Sequence, residues 1–163
     1  MYQNNTSRRL LSILRRRPDA WAGLRGTEEH VGAVGIVRFY QTPYGVLVCA
    51  EVAGLPRGDG DCDAPIFGFH VHEVGDCGGN EEDPFANVGG HYNPHGCRHP
   101  YHAGDLPPLF GADGYAISVC LTDRFAVDEI VGRSVIVHAM SDDFTTQPSG
   151  MSGKKIACGV IRA

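Results

Sequence analysis

The stretch Ile66-Phe67-Gly68-Phe69-His70-Val71-His72 decides how this chain reads. It is an apolar run carrying two histidines two positions apart. Successive side chains of a β-strand point to opposite faces, so both imidazoles leave one face of a strand while Phe69 and Val71 leave the other. Alone, such a pair reads most simply as two polar residues on a wet strand face. It does not stand alone. His91, His99, His102 and Asp105 follow at short spacing, and His138 comes later. Burying imidazoles side by side without partners is costly, and a shared metal removes that cost. Histidine is also the commonest metal ligand among side chains.

Working outward from this stretch, the pattern is β throughout. Candidate strands are Ala20–Arg25, Val31–Tyr40, Val46–Ala53, Ile66–Glu73, Tyr115–Thr122, Ser134–His138 and Ile156–Ile161. They are rich in Val, Ile, Phe and Tyr and are punctuated by Gly, Pro and Asp. Thr42-Pro43-Tyr44-Gly45 reads as a hairpin turn and Asp113-Gly114 as a second turn. Residues 74–113 and 139–154 show neither strand nor helix period. Structureless stretches of that length in a compact domain are usually functional. The expectation is therefore an all-β sandwich or barrel with two long loops folded over one site.

Composition bounds the rest. The chain has 163 residues, 42% of them hydrophobic, and a net charge of −5. That is enough for one domain with a real core. It lacks the basic balance of a nucleic-acid binder. No apolar run approaches the ~20 residues of a membrane span. Residues 1–18 form a basic, acid-free lead up to Pro18, expected as a short helix or tail ahead of a domain over 19–163. The apolar stretch Leu10 to Leu14 is too short for a signal-peptide core. An Arg-rich lead also fits a transit peptide, but the simpler reading is a cytoplasmic protein. Of the cysteines, Cys49 and Cys120 sit in alternating apolar runs and read as small core residues. Cys62, Cys77, Cys97 and Cys158 lie in or beside loops, and several pairings are open.

The candidate ligands divide into two sets. His70, His72 and His138 lie in strands, and an all-imidazole set suits copper, zinc, iron or nickel. His91, His99, His102 and Asp105 lie in a loop, and three nitrogens with one carboxylate suit tetrahedral zinc. A redox copper would want a fourth nitrogen, and His91 could serve both sets.

Five segments carry a family resemblance: Gly68-Phe69-His70-Val71-His72-Glu73-Val74-Gly75-Asp76, Gly90-His91-Tyr92-Asn93-Pro94, His102-Ala103-Gly104-Asp105-Leu106, Gly132-Arg133-Ser134-Val135-Ile136-Val137-His138 and Ala157-Cys158-Gly159-Val160-Ile161. In this order they resemble the copper–zinc superoxide dismutases. The resemblance implies an eight-stranded Greek-key β-barrel. It implies copper on His70, His72, His91 and His138, and zinc on His91, His99, His102 and Asp105, with His91 as bridge and proton carrier. Asp142 matches the family's carboxylate that links the two sites by hydrogen bonds, and Cys77 and Cys158 match its intrachain disulfide. The implied reaction is disproportionation of superoxide to dioxygen and hydrogen peroxide, with superoxide as the small-anion partner. The resemblance is also compatible with a homodimer.

Several positions depart from the pattern. The family's substrate-guiding arginine is here Lys155, with Lys154 beside it. Lysine keeps the charge but lacks the planar fork. His99 and His102 are closely spaced around Pro100, the second long loop is short, and Cys97 adjoins the ligands without a family role. Glu81-Glu82-Asp83 reads as a solvated loop face. Two other readings compete. A copper-delivery or metal-binding relative without activity would lack a copper ligand or the guiding charge. A zinc-stabilised interaction module would need neither His70 and His72 nor His138.

Overall fold

The structure, a computed structural model, describes residues 11–60 and 62–163; residues 1–10, where the basic lead begins, lie outside them, as does Asp61. The chain is all-β. Its strands are β1 (Ala20–Gly26), β2 (Val34–Thr42), β3 (Gly45–Ala53), β4 (Ile66–Phe67), β5 (Phe69–His72), β6 (Leu109–Phe110), β7 (Tyr115–Thr122), β8 (Ser134–His138) and β9 (Lys155–Arg162). Seven of them form one sheet in the order β5-β8-β9-β1-β2-β3-β7, and β4 pairs with β6. Every pairing is antiparallel.

This order describes a curled sheet whose two ends are bridged by β4, the continuation of β5, paired with β6, which turns into β7. From β3 the chain crosses to the far end of the sheet, returns through β6 to lay β7 beside β3, then crosses again to β8. β4 and β5 are one strand interrupted at Gly68, so the nine segments amount to the eight strands of the expected Greek-key barrel. β6 reaches β7 through a tight turn in which Asp113 (φ 53°) and Gly114 (φ 81°) both adopt positive φ, the geometry that matches the twist of antiparallel strands. The Thr42 hydroxyl similarly closes the β2–β3 hairpin by donating to the Gly45 carbonyl at 2.8 Å.

Alternation builds the core. Ala22 and Leu24 of β1, Val37 and Phe39 of β2, Val46, Val48 and Val52 of β3, Phe67, Phe69 and Val71, and Val135 and Val137 of β8 all point into one buried cluster. His70 and His72 therefore leave the outer face of β5. On the outer face of β2 and β3, Tyr40, Leu47 and Cys49 form a second cluster covered by Ile13 and Leu14, part of a helical turn at residues 11–14. Cys49 is thus buried beneath that turn rather than in the barrel interior. Cys120 faces the interior and packs against the main core.

Three local expectations change. Val31 to Ala33 are not strand: a 3-10 turn at Glu28–His30 takes up the backbone groups, with Ala33 N–H donating to His30 O at 2.8 Å, so β2 starts at Val34. The strand expected over Ile66–Glu73 breaks at Gly68, whose N–H donates to Met140 O (2.7 Å) and whose carbonyl accepts from His138 N–H (2.8 Å). A Cβ there would lie 2.8 Å from the Ser152 side chain, so glycine admits the second loop into the break. Finally, residues 74–113 are not structureless, because they contain β6 and a 3-10 turn at Ala86–Val88. Among the described residues, no helix is long and apolar enough to cross a membrane.

Candidate metal centre

The site is built on the outer face of β5 and β8. His70 and His72 on β5, and His138 at the end of β8, share that face, yet all three are buried. The first loop provides the cover. β5 is the edge of the seven-stranded sheet, and the loop backbone adds itself to that edge. Tyr92 N–H donates to Val71 O (2.8 Å), Val71 N–H to Gly104 O (2.9 Å) and Leu106 N–H to Phe69 O (3.3 Å). A Cβ at Gly104 would lie 2.2 Å from Val71 O, so only glycine allows this approach. The stitching sets His91 opposite His72 and Asp105 opposite His70. The loop is also tied to β9 by the Cys77–Cys158 disulfide, which packs with Phe85, Val88 and Ile136.

Two groups of ligand atoms result. Those of His70, His72, His91 and His138 lie within 4.8 Å of one another, as do those of His91, His99, His102 and Asp105. All seven residues predicted from the sequence come together, and His91 belongs to both groups. The hydrogen bonds set which nitrogen faces inward. Asp142, an acceptor, takes bonds from His70 Nε2 (2.9 Å) and His99 Nε2 (2.8 Å), which leaves the lone pair of each Nδ1 free. His72 Nδ1 donates to Gly89 O (2.9 Å) and His138 Nδ1 to Gly153 O (3.3 Å), so each Nε2 is free. His91 Nδ1 meets Asp105 Oδ1 at 2.8 Å.

These free nitrogens fit metal ions. His70 Nδ1, His91 Nε2, His99 Nδ1 and His102 Nδ1 are buried without a hydrogen-bond partner in the protein. Buried polar atoms normally have one. His72 Nε2 and His138 Nε2 face each other at 3.3 Å, two lone pairs whose repulsion a shared cation relieves. Asp105 Oδ2 approaches His99 Nδ1 (3.0 Å) and His102 Nδ1 (3.4 Å) without aligned hydrogen bonds, so three donors converge on one point. An all-nitrogen set beside a three-nitrogen, one-carboxylate set is the donor chemistry of copper next to zinc.

The electrostatics favour the ligating protonation states. Burial lowers the pKa of His70 from 6.5 to about 4 and that of His138 to about 3. It holds His72 well below the ordinary value and lowers His102. Burial pulls Asp105 upward, but the His91 hydrogen bond and the surrounding imidazoles outweigh it and leave the carboxyl acidic. Asp142 follows the same balance: burial raises it, and bonds from His70, the Phe144 N–H and His99 leave it well below the carboxylate range. Neutral imidazoles and ionised carboxylates are the forms that bind metal.

Two supporting residues, Gln147 and Arg124, have no sequence signal. Gln147 grips His99 from both sides, accepting its N–H (3.0 Å) and donating to its carbonyl (2.7 Å). Arg124 Nη1 donates to the carbonyls of Pro100 (2.9 Å), His102 (3.3 Å) and Asp105 (3.3 Å). The Arg133 guanidinium stacks 3.8 Å from the Tyr92 ring, next to His91. Lys155 lies opposite His138 in the β8–β9 register, and its ammonium is paired with Asp83. The acidic run is therefore only partly a solvated face: Glu81 and Glu82 are exposed, while Asp83 is engaged. Lys154 is exposed, and Cys62 and Cys97 are exposed free thiols.

A closed β-barrel with a twin histidine site under its loops defines a two-metal protein. The copper/zinc superoxide dismutase family profile matches residues 33–161. The chain is 36% identical to a copper–zinc superoxide dismutase of Legionella pneumophila over 138 residues, spanning 80% of this chain and 78% of that one. It is 35% identical to the corresponding enzyme of Photobacterium leiognathi, spanning 79% of each. Among solved structures, a double mutant of a SOD-like protein from Bacillus subtilis superposes with a TM-score of 0.70 at 30% identity, over 88% of this chain and 97% of that one. The chain belongs to the copper/zinc superoxide dismutase family. It is an oxidoreductase that disproportionates superoxide to dioxygen and hydrogen peroxide, with copper and zinc as its metals.

Proposed function

We propose the following division of labour for that activity. His70, His72, His91 and His138 hold copper, and His91, His99, His102 and Asp105 hold zinc. The observation that carries this assignment is His91, whose Nδ1 meets Asp105 while its Nε2 is buried without a protein partner. When bound, copper supplies one-electron redox chemistry and zinc a fixed divalent charge beside it. His91 Nε2 can hold a proton within reach of the anion. Asp142 orients His70 and His99 and joins the two groups through one carboxylate. Lys155 supplies positive charge that draws a small anion toward His138, although the chain as a whole is negative.

The test is metal analysis alongside a superoxide assay on purified protein and on Lys155 variants. The rate is expected to fall as ionic strength rises, because screening shortens the reach of the field. It is expected to fall in Lys155→Ala, to fall further in Lys155→Glu, and to hold or rise in Lys155→Arg. Wild-type rate in Lys155→Glu at low salt would remove Lys155 from the mechanism and make Lys154 the next candidate. The reading as a copper-delivery protein is disfavoured, since every copper-ligand position is filled and the four side chains converge.

A further inference from the structure

The ammonium of Lys155 is not free. It is bonded to the Asp83 carboxylate, and the two side chains are 17% and 38% exposed. Asp83 is itself held in place. Its Oδ1 accepts the Phe85 N–H at 3.1 Å, its own N–H donates to Asn80 Oδ1 at 2.9 Å, and its carbonyl accepts the Asn80 N–H at 3.0 Å. Phe85 in turn packs against the disulfide. The carboxylate is thus fixed directly by one of these bonds, and its backbone by the other two, so the pair is held by the loop as well as by charge. Around it lies a cleft of about 940 Å³ whose lining includes Glu28, Glu29, Glu81 and Glu82 against Lys154 and Lys155. Lys155 stands beside the copper group, paired with His138 across the β8–β9 register.

A cation alone acts on a distant anion as a point charge. A cation bonded to a carboxylate acts as a dipole, and its field falls off faster with distance. We propose that Asp83 is a positioning residue that acts through Lys155, pairing with its ammonium and masking its charge, and so limits the pull of that cation on superoxide. This rests on the reading of Lys155 as the guiding cation. Asp83 lowers the guidance that the lysine could give, and the other carboxylates of the cleft lack that specific coupling.

A double-mutant cycle of Asp83→Asn and Lys155→Met in the copper- and zinc-loaded protein tests it, with Glu81→Gln as an equal charge change in the same cleft. The primary readout is azide affinity by optical titration at low ionic strength; the salt dependence of the dismutation rate is the second. Asp83→Asn is expected to tighten azide about threefold, the scale of an exposed ion pair. It should also steepen the fall of the rate with salt, and exceed Glu81→Gln in both. In the Lys155→Met background the effect of Asp83→Asn should shrink to that of Glu81→Gln. An equal effect of Asp83→Asn with and without Lys155 would overturn the proposal, because Asp83 would then be one negative charge among several. So would weaker azide binding in Asp83→Asn, which would mean that the carboxylate serves the lysine by holding it in place. If Lys155→Met leaves azide affinity and salt slope unchanged, the guiding-lysine reading itself fails, whatever Asp83 does.

Discussion

The two halves of the metal centre are held in different ways. On the copper side His70, His72 and His138 stand on strands, and their backbones are fixed by the β5–β8 ladder, in which Phe69 pairs with Val137 and Val71 with Val135. On the zinc side Asp105 is stitched to the β5 edge, but His99 and His102 stand on loop backbone held mainly by side chains: Gln147 on His99, Arg124 on three carbonyls, and Asp142 from the opposite loop. A ladder forms whenever the barrel folds. A loop held by side-chain ties is ordered only as far as those ties and the metal hold it. The copper ligands should therefore be preorganised and the zinc ligands metal-dependent.

The sharpest way to break this comparison is to remove one strand-borne ligand. His138→Ala should cut dismutation by about 100-fold or more, since even partners one shell further out cost 10- to 100-fold. Zinc stoichiometry by elemental analysis should stay intact, because His138 belongs only to the copper group. Joint loss of zinc would show the halves to be one unit.

Acid should separate the histidines from the carboxylates in the metal-free protein. His70 and His138 have folded pKa values of about 4 and about 3, below the ordinary 6.5, so the unfolded chain binds more protons through that interval. Stability must then fall as pH drops from 6.5 toward 4, by a few kcal/mol in total. His72 and His102 act in the same direction. Asp105 and Asp142, with lowered values, contribute stability above the ordinary carboxylate pKa that is lost only at lower pH. Thermal unfolding across this range should show the histidine loss first. A flat profile between pH 6.5 and 4 would contradict the burial of neutral imidazoles.

The disulfide ties the loop to the sheet on the copper side. Cys77→Ser with Cys158→Ser should cost about 2–4 kcal/mol in denaturant unfolding. Smaller still, Gln147→Ala or Arg124→Ala should weaken zinc about tenfold while leaving copper affinity nearly unchanged. Equal weakening of both metals would erase the distinction between ladder and loop.

The same distinction explains what the sequence made legible. Ladder residues carry a period of two, so β1, β3, β7 and β8 can be located from alternation, and His70 and His72 can be assigned to one face. The loop ligands are legible only as residue types matched to a family pattern. Gln147 and Arg124 bind backbone carbonyls and amides, which any sequence offers, so nothing in the chain announces them. β6 has two residues and no period to detect. The break at Gly68 depends on Ser152 and Met140, far away in the chain. Asp83 hid in an acidic run because its partner lies 72 residues away.

The helical turn at residues 11–14 bears on how this enzyme survives its own product. Hydrogen peroxide attacks thiolates, and susceptibility follows thiolate character and access. Ile13 and Leu14 close over Cys49, and burial raises its thiol pKa, so the sulfur stays protonated and out of reach. Removing the chain up to Leu14 should make Cys49 oxidise under sustained turnover, visible as added oxygen by mass spectrometry, while the intact chain keeps it reduced. That outcome would make the N-terminal turn a cap over a thiol that lies on the opposite side of the wall from the barrel interior.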